Sequence, residues 1–198
     1  MKRIMLAAII SLLVSLFILT SQCGNINPEN EGQTTQNLIR NPGCEDDLLE
    51  GEIPYWTEAV GTSWTQRTAN PAPGEGIAYF FAGVEATAEL SQAVDISAFS
   101  ATIDSGTQQF TFKGYVRSYD QSPADSSRIV LEYLDAGQTT TLDSFDSGEI
   151  IDKASWQLVS DIRFAPAGTR YIRIRLISTR YSGSNNDGYY DSLSLYAN

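Results

Sequence analysis

The 198-residue chain contains no histidine, and it has only two cysteines and two methionines. Without imidazole there is no Ser-His-Asp or Cys-His nucleophile, no histidine metal site and no side chain that ordinarily titrates near neutrality. Cations are scarce as well: 13 Lys and Arg stand against 24 Asp and Glu, a formal net charge of −11. Nucleic acid and anionic headgroups both require clustered cations, so this balance argues against them and leaves neutral or cationic partners. The chain is well supplied with apolar and aromatic residues, 42% and 11%, enough to bury the core of one domain.

Lys2 and Arg3 precede an uncharged apolar run from Ile4 to Thr20, the pattern of an export signal. The run is at the short edge of what spans a bilayer, so a retained anchor helix is the alternative. Thr20-Ser21-Gln22-Cys23 is similar to a bacterial lipoprotein signal, in which the thiol takes diacylglycerol and cleavage falls before it. Gln22 departs from the small residue usual there and leaves ordinary cleavage and secretion open. Residues 1–22 thus read as a signal peptide and 23–36, rich in Asn, Gln, Glu and Thr, as a flexible tether. The protein is expected outside the cytoplasm, in the cell envelope, touching membrane only through lipid at Cys23. Cys44 then has no partner and reads as a small buried residue, whereas without lipidation a Cys23–Cys44 bridge is open.

From residue 37 onward no long helical period occurs. Short runs of alternating, β-branched and aromatic residues are separated by Gly, Asn, Asp, Ser and Pro, which predicts an all-β, two-sheet antiparallel sandwich over 37–198. Candidate strands cover 37–40, 56–60, 64–67, 77–82, 86–94, 109–119, 128–135, 140–147, 156–164, 171–178 and 190–196. Alternation assigns Phe110, Phe112, Gly114 and Val116 to the core, with Ile129, Leu131 and Tyr133, with Ile172, Ile174 and Leu176, and with Leu193 and Leu195. The same rule places Trp156, Leu158, Ile162 and Phe164 inside. A short helix near 98–103 has Asp95-Ile96-Ser97 as its entry. Three polar loops, 69–76, 120–127 and 180–188, are places where a rigid sandwich carries binding residues, although solvated turns share their composition.

Asn37-Leu38-Ile39-Arg40-Asn41-Pro42-Gly43-Cys44-Glu45, followed by Trp56, resembles the opening of carbohydrate-binding-module domains of the galactose-binding-like superfamily. Leu90-Ser91-Gln92-Ala93-Val94-Asp95-Ile96 resembles an internal strand of that family, and Asn186-Asp187-Gly188-Tyr189-Tyr190-Asp191-Ser192-Leu193-Ser194-Leu195 its closing strand. Cys44 stands where the family usually has Phe, and Ser192 where a second Asp is frequent. The resemblance implies a jelly-roll β-sandwich and a structural calcium held by Glu45 and Asp191, with Asp47 a nearby third acid. Calcium takes several hard oxygen ligands, which these acids would supply; a solvated acidic turn is the other reading.

Sugar recognition combines an aromatic face with planar hydrogen-bonding groups. Trp56 and Trp156 fall at core phases. Trp64, Tyr79, Tyr115 and Tyr119 lie beside polar residues or on the polar phase and are the platform candidates. Arg117, Arg173 and Arg175 project opposite the core, either toward sugar hydroxyls or into pairs with carboxylates. Glycoside hydrolysis needs a positioned pair of carboxylates, and the acids here lie mostly at turns with no distinguished pair. The expected function is therefore non-catalytic binding of a carbohydrate or similar neutral polymer through a surface aromatic site. The rival is a structural or adhesive lipoprotein that recognises a protein partner.

Overall fold

A computed structural model describes residues 36–198. The expected signal peptide, Cys23 and nearly all of the tether lie outside the described residues. Ten strands form: β1 (Thr57–Val60), β2 (Thr65–Arg67), β3 (Tyr79–Phe81), β4 (Thr87–Asp95), β5 (Gln109–Arg117), β6 (Ser126–Leu134), β7 (Thr141–Asp146), β8 (Gln157–Phe164), β9 (Tyr171–Thr179) and β10 (Tyr189–Ala197). They make two five-stranded sheets, ordered β1-β4-β9-β6-β7 and β2-β3-β10-β5-β8, with every pairing antiparallel. The helix expected near 98–103 is a 3-10 turn (Ser97–Phe99) running into α1 (Ser100–Asp104), and Asp95 accepts the Ser97 N–H at 2.8 Å at its entry.

The core forms where the inward phases of the two sheets meet. Phe110, Phe112 and Val116 of β5, Ile129, Leu131 and Tyr133 of β6, Ile172, Ile174 and Leu176 of β9, and Leu193 and Leu195 of β10 are all buried there, as period-two alternation requires. Trp56 packs edge-on against Phe80, ring centroids 5.0 Å apart. Residues 37–40 do not form the expected strand. They still extend the second sheet: Leu38 donates its N–H to Leu195 O at 2.9 Å, and the Asn37 carboxamide bonds both Leu193 O and Leu195 N at 2.9 Å.

β8 inverts the expected faces. Leu158, Ile162 and Phe164 are 51%, 60% and 57% exposed, while Val159, Asp161 and Arg163 oppose core-facing Gly114, Phe112 and Phe110 of β5. Position explains the inversion, because β8 is the edge of its sheet and β7 the edge of the other. Arg163 spans the open side between them: its Nε and Nη2 donate to the Asp161 carboxylate at 2.6 and 2.8 Å, and its Nη1 to Asp143 Oδ2 and Ser144 O of β7, both at 2.8 Å. An inward charge pair seals an edge that a further apolar row would leave open to strand addition. Trp156, also expected in the main core, belongs instead to a small second cluster with Tyr79, Phe81 and Tyr189.

Candidate functional site at the loop end

The outward phase of β2, β3 and β10 brings Arg67, Tyr79, Phe81 and Tyr189 together on the outer face of the second sheet. Loop 69–76 folds over part of this group: Trp156 Nε1 donates to Ala72 O at 3.2 Å and the Tyr79 hydroxyl to Ala69 O at 3.0 Å. Arg67 stays at the margin. Its guanidinium lies over Phe81, and Nη1 donates to Asp187 Oδ1 at 3.2 Å and to the Tyr189 hydroxyl at 2.9 Å. Tyr189 in turn donates to Asp187 at 2.7 Å, and burial beside that carboxylate pushes its phenol well above the usual range.

All three polar loops singled out in the sequence converge here. They enclose a cleft of about 440 Å³ lined by Arg67, Asn70, Tyr119, Gln121, Asn185 and Asp187. Tyr119 is 47% exposed and presents the aromatic surface. Among the described residues the side chains of Asn70 and Asn185 have no hydrogen-bond partner, and neither has the buried Gln121 Nε2. The donors and acceptors of those planar carboxamides are thus unused within the protein. Asp125, fully buried, fixes the loops behind them: its carboxylate accepts the N–H groups of Tyr181 at 2.7 Å, Ser182 at 3.2 Å and Asp187 at 2.8 Å.

Of the residues predicted from sequence, Tyr119 alone lines this cleft. Trp64 is a correction: it is 2% exposed and packs against Tyr190, ring centroids 5.9 Å apart, so no face is free to stack on sugar. Tyr79 is a second correction, because it is on the outward phase as expected but is buried between Trp156 and Tyr189 beneath loop 69–76. Arg117 is half-buried, and its Nη2 donates to Lys153 O at 3.3 Å. Arg173 and Arg175 lie on β9 in the opposite sheet, paired with Glu132 at 3.3 and 2.9 Å, and Arg175 also grips Glu89 through two bonds of 2.7 Å. Arg67, Gln121 and Asp125 escaped the sequence reading. Arg67 was marked only by its place opposite Trp64 in a short alternation, and Gln121 and Asp125 look like ordinary turn residues.

Tyr115 lies elsewhere, in a cleft of about 530 Å³ on the outer face of the second sheet with Glu45, Lys113, Asp191, Ser194 and Tyr196. Two of the three expected metal ligands, Glu45 and Asp191, meet there, and both face N–H groups. Asp191 Oδ2 accepts Gly74 N–H at 2.7 Å and Glu75 N–H at 3.1 Å, and Oδ1 accepts Ser192 N–H at 2.6 Å. Glu45 Oε1 accepts the N–H groups of Ile77 and Ala78 at 3.1 and 3.2 Å. Gly76, at φ +63°, makes that approach possible, since a Cβ on it would lie 2.0 Å from Glu45 Oε1. Asp47 is exposed, and no group of three His, Cys, Asp or Glu is placed to hold a metal among the described residues. Both carboxylates already accept N–H donors, so a cation bound here would have to share their oxygens with those groups. Cys44 is buried and has no disulfide partner among the described residues, Cys23 lying outside them, and burial pushes its thiol pKa well up.

No protein-family model and no curated protein matches the sequence. The fold has clear counterparts among solved structures. TmCBM61, a carbohydrate-binding module in complex with β-1,4-galactotriose, aligns with a TM-score of 0.57 at 18% identity over 83% of this chain and 100% of its own. A cyclase from Fischerella sp. TAU aligns with a TM-score of 0.53 at 16% identity over 81% of this chain and 95% of its own. The enzymatically active domain of tailspike protein 4 from bacteriophage CBA120 gives 0.58 at 15% identity over 80% of this chain, which spans only 21% of that larger one. At such identities the likeness establishes the two-sheet jelly-roll sandwich alone, and this architecture serves binding proteins and enzymes alike.

Proposed function

We propose that the domain is a non-catalytic module that binds a neutral carbohydrate in the loop-end cleft. The observation that carries this reading is the set of unpartnered carboxamides of Asn70, Gln121 and Asn185 around the exposed Tyr119 ring and the braced Arg67. A sugar offers hydroxyls that are both donors and acceptors, together with one apolar C–H face, and this cleft complements both. Hydrolysis of a glycoside by paired acids needs two carboxylates, whereas Asp187 is the single one lining the cleft and is bonded to Arg67 and Tyr189. The fold shared with a galactotriose-bound module supports the reading. A screen of the purified chain against a glycan array that includes galactan and xylan tests it. Tyr119→Ala and Asn185→Ala are expected to lower the binding of whichever glycan is retained. No retention of any glycan, with recovery of a protein partner from the envelope, would favour the adhesive reading, for which the exposed apolar row on β8 speaks.

Export through residues 1–22 and lipid attachment at Cys23 would hold the module at the envelope. A diacylated or triacylated cysteine exceeds the two-chain requirement for stable anchoring. Cys23→Ala is expected to move the protein from the detergent to the aqueous phase in a phase-partition assay. Unchanged partitioning and size would instead point to residues 4–20 as a retained helix.

A further inference from the structure

We infer that the binding track continues across Gln121 into a second cleft, so that the ligand is a chain of several neutral sugars rather than one. This rests on the carbohydrate reading of the first cleft and adds residues to it. The second cleft, about 530 Å³, is lined by Gln121, Pro123, Glu149, Ile151, Lys153 and Tyr181, so Gln121 belongs to both. Each cleft has one half-exposed tyrosine, Tyr119 at 47% and Tyr181 at 48%. Ile151, 58% exposed, adds apolar surface on the far side.

The two halves are built as one rigid unit. The Asp125 carboxylate takes the backbone N–H of Tyr181 from the second cleft and that of Asp187 from the first. The Tyr181 hydroxyl donates to Glu149 Oε2 at 2.8 Å, which fixes the end of the ring. Lys153 Nζ donates to Gln121 O at 3.2 Å, so the residue between the clefts is held from behind. Prior ordering of this kind reduces what binding must spend on loop entropy.

The charges select a neutral chain. Arg67 is paired with Asp187 at 3.2 Å and Lys153 with Asp120 at 3.0 Å, and Glu149 is bonded by Tyr181. With the cations already paired, hydroxyls, rather than carboxylates or sulfates, suit the remaining Asn and Gln groups.

Calorimetric titration of the full chain in detergent with galactose, galactobiose, galactotriose and longer β-1,4-galacto-oligosaccharides tests the inference, with the matched xylose series in parallel. In the wild-type chain affinity is expected to rise about tenfold from the single sugar to the longer oligomers, equivalent to about 1.4 kcal/mol. In Tyr181→Ala and Ile151→Ala, checked for native near-ultraviolet circular dichroism, most of that rise is expected to vanish. Retention of the full length dependence in both variants, or its absence from the wild type, would overturn the extended track while leaving the first cleft standing. Absence of binding to every member of both series and to every glycan of the array would remove both readings together.

Discussion

The guanidinium carbon of Arg67 sits 3.9 Å from the centroid of the Phe81 ring, and Asp187 holds the same group by its edge. The planar fork is thereby fixed at the margin of the loop-end cleft before any ligand arrives. Lysine keeps the charge but not the plane, so Arg67→Lys is expected to fold and to lose about tenfold in glycan affinity, since a single well-placed group is worth about 1–2 kcal/mol. Arg67→Ala leaves buried Asp187 short of a partner and is expected to cost roughly 1–3 kcal/mol of stability as well. Titration calorimetry and urea denaturation of the two variants separate these effects; equal loss of stability in both would contradict the role of the plane.

Burial pushes the Asp191 carboxyl from 3.8 up to about 6, against the pull of the Glu75, Gly74 and Ser192 N–H groups. An acid whose pKa is higher in the folded than in the unfolded chain binds its proton more tightly when folded. Its contribution to stability is therefore full below the unfolded pKa and is lost as pH rises through the folded one. Asp104, bonded by Arg170, Asp135, bonded by the Thr140 and Thr139 N–H groups, and Asp146, bonded by Arg128, are all lowered from 3.8 and act in the opposite sense, contributing above that value and less below it. Stability of the wild type is expected to fall from about pH 4 to about pH 6 relative to Asp191→Asn, whatever the absolute cost of that substitution. Urea midpoints across the range that run parallel in the two proteins would refute the assignment.

The N–H groups already satisfy much of what the Asp191 and Glu45 carboxylates accept, and the expected outcome is a melting temperature that is the same in calcium and in chelator. An ion bound only to the folded state at a hundredfold excess over its Kd would add about 2.7 kcal/mol, a shift easily seen by calorimetry. Such a shift would restore a calcium role for Glu45 and Asp191. Gly76→Ala, by contrast, is expected to be destabilising in either buffer, since its Cβ would collide with Glu45 and its φ of +63° suits glycine.

On β8 the inverted faces can be tested by substitution. Ile162→Ser and Phe164→Ser, on the outward phase, are each expected to change stability by no more than about 1 kcal/mol. Val159→Ala, on the inward phase, is expected to cost about 1–2 kcal/mol, and Arg163→Ala roughly 1–3 kcal/mol because Asp161 loses its partner. A loss of about 3–5 kcal/mol at Phe164, the range for a core phenylalanine, would return that face to the interior.

Local pattern carried the reading where one face of a strand is apolar and the other polar. Phe110 and Phe112 against Lys113, or Ile172 and Ile174 against Arg173 and Arg175, declare their inner face without reference to anything distant. On β8 alternation ranks Leu158, Ile162 and Phe164 inward over Val159 and the Asp161–Arg163 charge pair, and the structure reverses that ranking. Its place at the sheet edge, with β7 at the edge of the other sheet, overrides the local pattern, and that place follows from topology.

The platform residues failed for a related reason. Tyr79 has the outward phase its neighbours suggest, yet Trp156, 77 positions later in the chain, and loop 69–76 close over it. Composition marked loops 69–76, 120–127 and 180–188 as carriers of binding residues, since Pro, Gly, Asn and Ser mark turns through local backbone preference. Strand periodicity and turn chemistry are properties of a few consecutive residues, and they fixed the sandwich, its core rows and these loops. Burial, pairing of charges and the meeting of Arg67, Tyr119, Gln121 and Asn185 in one cleft depend on which strands become neighbours. That is set by the packing of the two sheets as a whole, which no short stretch of the chain encodes.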